Sequence, residues 1–264
     1  VVVARHIGEN NDKGVRECVH TSMLLSIFCG FFIGVLGFFT SGEMLKIMNA
    51  PDDVIDLATL YLKIYFLGSP GLMAYNFGAA IVRSTGDTKR PLYILTFSGL
   101  VNVALNRFFV IVLKFGVSGV AIPTIISQYL SALLIIIHLK RMNNACRLSF
   151  RSLRIHSAEL RDILRIGLPA GIQSSLFSVS NVVIQSTVNS FGSSAMAGVA
   201  AGSNYDAYIY TCTNAISQTT MTFASQNMGA RKYSNLGRVY RHCLLITLAI
   251  GVGMGLLGMR SATS

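Results

Sequence analysis

Eleven acidic residues occur in the chain, and one of them, Asp206, falls inside a long apolar stretch. Asp206, Tyr210, Thr213, Asn214 and Ser217 follow 4-3-1-3 spacing, which places them on one face of a helix. A carboxylate at the centre of a bilayer costs on the order of 3 kcal/mol or more, so its presence there points to function. The chemistry it offers is exchange of a proton against a bound cation or a substrate. The competing reading is a carboxylate near the outer interface, hydrogen-bonded to Asn204 or Tyr205 and wetted by a cavity. A second polar stripe, Ser98, Asn102 and Asn106 at i, i+4 and i+8, lies on another apolar stretch. Asn76, in the stretch before it, could face the same cavity. A third set, Gln173, Asn181, Gln185 and Asn189, is spaced eight, four and four. Amides of this kind, with Tyr208 and Tyr210, suit a wet cavity that accepts varied substrates. The amides of the second stripe, Asn102 and Asn106, could equally be interhelical hydrogen bonds that fix packing.

One constellation looks enzymatic. Asp52-Asp53-Val54-Ile55-Asp56 reads DDxxD, a pattern able to hold magnesium and a diphosphate. Pro51 precedes it, so the same residues also read as the acidic first turn of a helix, favoured by the helix dipole.

The elements that must position these residues are membrane helices. Of 264 residues, 52% are hydrophobic and 12% charged, about half the charge of a soluble domain. Apolar stretches recur at 21–40, 57–82, 91–113, 118–139, 163–189, 196–225 and 243–259, each separated by a short polar gap. The 24 glycines suit helices that approach closely. A net charge of +11 raises nucleic acid as a partner, but the basic residues sit in the gaps and not on one face, which argues against it. Cys18, Cys29, Cys146, Cys212 and Cys243 match no zinc or disulfide spacing and read as free thiols.

The gaps alternate in charge. Residues 1–20 carry Arg5, Lys13 and Arg16; the third gap carries Arg83, Lys89 and Arg90. The fifth is the most basic, from Lys140 to Arg165, and the seventh holds Arg231, Lys232, Arg238 and Arg241 without an acid. The gaps between them are poor in basic residues, which places the odd-numbered gaps in the cytoplasm. A short repeat is also legible: Ala4-Arg5-His6-Ile7-Gly8 near the start and Ser225-Gln226-Asn227-Met228-Gly229 near the end, 221 residues apart from Gly8 to Gly229. Both copies fall on the same membrane side, as two parallel halves related about the membrane normal require. The chain begins at Val1 and stops at Ser264 soon after an apolar run, and is expected to be a piece of a longer protein of about 440 residues and twelve spans.

Four motifs in order then carry a family resemblance. Residues 80–91, Ala-Ile-Val-Arg-Ser-Thr-Gly-Asp-Thr-Lys-Arg-Pro, resemble the connection between the fourth and fifth helices of multidrug and toxic compound extrusion (MATE) transporters. Gly167-Leu168-Pro169 resembles the start of that family's seventh helix. Asn189-Ser190-Phe191-Gly192, with Ala195-Met196-Ala197-Gly198, is similar to the seventh-to-eighth turn. Ala224 to Ala230 is similar to the end of the eighth helix.

The resemblance implies an all-α polytopic transmembrane bundle with two pseudo-symmetric six-helix lobes around a central cavity. It implies a partial N-terminal lobe at 1–145, a basic cytoplasmic linker at 146–162 and a partial C-terminal lobe at 163–264. The implied activity is secondary active export of small organic, often cationic, compounds in exchange for protons or sodium, by a monomer in the plasma (inner) membrane. No cofactor beyond the coupling ion is expected. Asp206, Asn102, Asn106 and Asn76 are the candidate coupling residues, and Gln173, Asn181, Gln185, Tyr210 and Asn214 the candidate cavity residues. The family often has an aspartate where Asn106 stands, so the first lobe here lacks that titratable group. A lipid-linked oligosaccharide flippase of the same superfamily is the first alternative and a membrane prenyltransferase the second.

Overall fold

The computed structural model describes the backbone of residues 1–47, 52–189 and 193–262, and the side chains within them except at 47, 52–54, 182, 185, 186, 189, 193–198, 200, 201, 204, 205 and 257–262. Asp52, Asp53, Gln185, Asn189, Asn204 and Tyr205 therefore lie outside the described side chains. Every regular element among the described residues is helical: α1 (Val2–Gly8), α2 (Asp12–Ile47), α3 (Asp52–Leu67), α4 (Ser69–Ser84), α5 (Lys89–Arg107), a π turn (Phe108–Val112), α6 (Ser118–Arg141), a 3₁₀ turn (Phe150–Ser152), α7 (Ser157–Asn189), α8 (Ser193–Gly229) and α9 (Tyr233–Ala262).

Several helices outrun the apolar stretches that announce them. The stretch at 21–40 is the middle of a 36-residue α2, and the one at 243–259 lies within a 30-residue α9. Backbone hydrogen bonding continues past the apolar boundary because polar residues sustain a helix as well as apolar ones do. Among the described residues α2, α5 with its π turn, α6 and α9 are long and apolar enough to cross a membrane. α7 and α8, of 33 and 37 residues, are long enough but interleave amides and hydroxyls with their apolar residues.

The stretch at 57–82 is not one continuous helix. It breaks at Gly68 into α3 and α4, each of 16 residues. Pro70, in the first turn of α4, has no N–H to continue the ladder. The carbonyl of Leu67, freed at the break, accepts a hydrogen bond from the Tyr129 hydroxyl at 2.8 Å. The bend lies against Gly30, Gly34 and Gly37 of α2, where a Cβ at Gly30 would stand 2.6 Å from the Pro70 Cα and one at Gly34 3.0 Å from the Phe66 carbonyl oxygen. Three small residues on one face thus give the bend room.

The chain forms two compact units, Asn11–Leu160 and Val1–Asn10 together with Arg161–Ser264. In the first, α2 packs on α3 and α4, and α6 packs on α3, α4 and α5. In the second, α8 packs on α1 and α9. The expected partial lobes place residues 1–10 with the rest of 1–145, whereas by compactness they go with Arg161–Ser264.

That packing brings the two copies of the repeat together. A methyl group at Gly8 would run into the carbonyl oxygen of Gln226, and one at Gly229 into the carbonyl oxygen of Arg5. Gln226 precedes Gly229 by three residues and Arg5 precedes Gly8 by three, so the contact is reciprocal, as across a two-fold axis. The backbone repeats as well. Glu9 and Ala230 donate to Arg5 and Gln226 at 3.0 and 2.9 Å, and Asn10 and Arg231 then turn left-handed, with φ of 54° and 55°.

Candidate functional site

In the first unit, α5 and α6 assemble a chain of polar side chains. Ser98, Asn102 and Asn106 lie on successive turns of α5 and face α6. The Asn106 amide donates to Asn102 Oδ1 (3.0 Å), the Asn102 amide donates to the Ser127 hydroxyl (3.2 Å), and Ser127 donates to the Thr124 carbonyl (2.8 Å). The amide orientations follow from this network. Asn106 Oδ1, at one end of the network, and Ser98 Oγ, one turn before Asn102, are buried and have no hydrogen-bond partner. Ser98 itself is 3% exposed. Oxygen atoms left over in this way can ligate a cation, but nothing in the chain can hold a proton as charge.

The π turn begins two residues after Asn106 and shifts the register of the helix that follows. Its loose backbone is closed by Leu113, which donates to Phe108 O, and by Phe115, which donates to Phe109 O, each at 3.2 Å. The rings of Phe109 and Phe115 meet edge to face at 5.8 Å. Single π turns of this type recur beside functional sites. Asn76, on α4, is exposed and does not join the network.

In the second unit the polar residues are arranged differently. Asp206, Tyr210 and Asn214 lie one turn apart on α8 and all are exposed, as are Gln173 and Asn181 on α7. Among the described residues Asp206 has no ion-pair or hydrogen-bond partner. The neighbouring hydroxyls bond to their own helices: Ser174 to Ala170 O (3.0 Å), Ser178 to Ser174 O (3.1 Å), Thr211 to Ala207 O (2.8 Å) and Thr213 to Ile209 O (3.0 Å). Hydroxyls satisfied within the helix leave the carboxylate and the amides as the free polar groups of this face.

Sequence reasoning missed the α6 partner. Ser127 and Ser131 are spaced i, i+4 on an otherwise apolar helix and both are buried, a small-residue face that the spacing could have revealed. It also missed the role of Tyr75, whose hydroxyl donates to Pro91 O at 3.0 Å and ties α4 to the start of α5. Of the DDxxD carboxylates, Asp56 is exposed near the start of α3. No cluster of three potential metal-ligating His, Cys, Asp or Glu side chains occurs among the described residues. All five cysteines are free, with Cys18 and Cys146 buried. In the loop after α6, burial pushes the Cys146 thiol up to about 11, so it stays protonated at neutral pH.

Comparison with known proteins agrees with this architecture. The MatE family model matches residues 1–108 and 169–261. The chain is 26% identical over 258 residues to the probable multidrug resistance protein YoeA of Bacillus subtilis, covering 95% of this chain and 56% of that protein. It is 29% identical over 228 residues to YpnP of the same organism, also a probable multidrug resistance protein, covering 86% of the chain and 51% of the relative. A FAD transporter of Shewanella oneidensis is 25% identical over 237 residues, again 86% of this chain and 51% of its own length. The chain thus spans about half the length of these curated relatives.

Among solved structures, the outward-facing conformation of a multidrug resistance MATE family transporter of the MOP superfamily superposes with a TM-score of 0.91 at 22% identity, over 99% of this chain and 58% of that one. A MOP superfamily transporter from Pyrococcus furiosus, described as having a binding pocket of reverse polarity, gives 0.88 at 23% identity over 96% of this chain and 56% of that one. These likenesses establish the fold. With the family model matching most of its length, the chain belongs to the MatE family, whose members are membrane transporters and not enzymes.

Proposed function

We propose that the whole transporter to which this chain corresponds is a cation-coupled antiporter of the plasma membrane that exports small organic compounds, working as a monomer by alternating access between two pseudo-symmetric lobes. The reciprocal glycine contact between the two copies of the repeat carries the alternating-access reading. Two equivalent helix ends that meet about a local two-fold form a contact able to close and part as a unit, because both partners present the same surface. The multidrug names of YoeA and YpnP support the substrate class.

Coupling is assigned to Asp206, fourteen positions into α8 and the single acid of that helix. Protonation or cation binding there would favour one facing state, and substrate the other, by the difference in their affinities for the two states. Asn102 and Asn106, with Asn76, would offer a cation oxygen ligands in the other lobe. Gln173, Asn181, Gln185, Tyr210 and Asn214 would line the route of the substrate.

The test is Asp206→Asn in the whole transporter, reconstituted in proteoliposomes with an imposed proton or sodium gradient. Gradient-driven efflux of a cationic dye should fall by about tenfold or more. Undiminished gradient-dependent efflux would remove Asp206 from the coupling role.

A further inference from the structure

Beyond transport itself, the first unit contains a basic cleft of about 640 Å³ at the end where α2 begins and α6 stops. Arg16, Lys140, Arg147 and Arg151 line it, with Glu17 as the one acid, so its side chains carry a net charge of +3 when the histidines are neutral. Glu17 lies 3.9 Å from Lys13, outside the cleft, and 3.8 Å from His156, which also lines it. Among the described residues Arg16, Arg147 and Arg151 have no carboxylate partner. Lys140 stands over the Phe150 ring at 4.9 Å.

The cleft has a fixed wall. The Ser149 N–H donates to His20 Nε2 at 3.1 Å, so the ring proton sits on Nδ1, which donates to the Arg16 carbonyl at 2.6 Å. One turn position on, the Thr21 hydroxyl accepts the His156 N–H at 3.1 Å. His20 and Thr21 are 4% and 0% exposed, so two adjacent buried side chains of α2 strap down both ends of the segment that carries Arg151. Leu148 closes the other side by donating to Leu139 O at 3.1 Å. A bias towards basic residues in cytoplasmic gaps explains why arginines occur here. It does not explain why cations from three separate segments converge on one strapped cleft while Arg141 and Arg154 stay outside it.

We infer that this cleft is a binding site for a phosphate-bearing group, either the headgroup of an anionic lipid in the cytoplasmic leaflet or a soluble phosphate compound. Guanidinium forks pair with phosphate oxygens through two parallel hydrogen bonds, and three arginines surround one volume here. The cleft has the size of sites that hold small ligands. The alternating charge of the gaps puts it on the face where anionic lipids concentrate.

The experiment titrates the purified full chain in detergent with short-chain phosphatidylglycerol, short-chain phosphatidylcholine and inorganic pyrophosphate, with bound probe counted by native mass spectrometry. Arg147→Gln/Arg151→Gln is compared with Arg141→Gln/Arg154→Gln, which removes the same charge outside the cleft. The first pair should weaken binding of the anionic probe by about tenfold or more, and the second by less than about twofold. Arg147→Lys/Arg151→Lys, which keeps charge and loses the forks, should fall between them. Retention of phosphatidylglycerol in the presence of pyrophosphate assigns the site to a lipid headgroup; displacement by pyrophosphate assigns it to a soluble phosphate. Equal losses from the two glutamine pairs, or no anionic probe bound, would overturn the proposal.

Discussion

The polar stripes of the two units use the same residue types and treat them in opposite ways. On α5, the Asn106 amide bonds Asn102 one turn back, and the Asn102 amide reaches sideways to Ser127 on α6. On α7 and α8, the hydroxyls turn back on their own helices, and Gln173, Asn181, Asp206 and Asn214 stay exposed. An amide that finds a partner on the next helix binds helices together. An amide that finds none there needs water, a ligand or a further helix of the whole protein, because an unpaired amide in hydrocarbon costs several kcal/mol. What separates the two stripes is therefore the neighbour and not the residue type.

Glycine makes the same contrast and predicts the largest difference. Gly30→Ala puts a methyl group 2.6 Å from the Pro70 Cα, where only backbone can yield, and should destabilise the first unit by about 1–3 kcal/mol. Gly171→Ala on α7 has nothing within 4 Å to meet and replaces a poor helix former with the best one, so stability should rise by up to about 1 kcal/mol. Thermal melting of the detergent-solubilised chain checks both. Equal destabilisation by the two changes would break the comparison, since it would mean that α7 is as closely packed as α2.

Next in size is the paired alanine test of the stripes themselves. Asn102→Ala removes the link between Asn106 and Ser127 and should cost about 1 kcal/mol, the scale of interhelical hydrogen bonds in membranes. Asn181→Ala and Asn214→Ala should leave melting within about 0.5 kcal/mol, as for exposed substitutions elsewhere. Their effect should appear in transport by the whole protein. A melting loss at Asn214 as large as that at Asn102 would show that both stripes are structural.

How much of this was legible in the sequence depends on whether the deciding partner is local. The helices, their apolar centres and the repeat around Gly8 and Gly229 were readable, because each rests on composition or spacing within a few residues. The break at Gly68 was not. Pro70 is visible, but the hydroxyl that takes the Leu67 carbonyl at the break comes from Tyr129, on α6, 62 residues away. The strap from His20 to Ser149 spans 129 residues and was missed for the same reason. Asn102 and Asn106 were correctly placed on one face, yet their partner Ser127 gave only a faint signal among apolar neighbours. Asp206 stood out because a carboxylate within an apolar run is rare whatever surrounds it.

The smallest effect concerns an ion pair between α1 and α7 within the second unit. Arg5 Nη2 donates to Asp162 Oδ2 at 2.5 Å. That hydrogen bond, with the nearby charges of Arg5, His6 and Arg165, holds the Asp162 carboxyl below the usual carboxylate range. A folded-state pKa lower than the unfolded one, ordinarily about 3.9, gives stability that is present above that value and lost as pH falls through the folded pKa. The side chains are 37% and 38% exposed, so solvent screens the pair and its contribution should be about 0.5 kcal/mol or less. Asp162→Asn should therefore melt slightly below the parent at pH 7, and the two should converge only as pH falls through the lowered folded pKa of Asp162. Amide exchange at residues 5–9 follows the same contact locally. Were the gap to persist once Asp162 is protonated, the loss would come from the fit of that side chain and not from its charge.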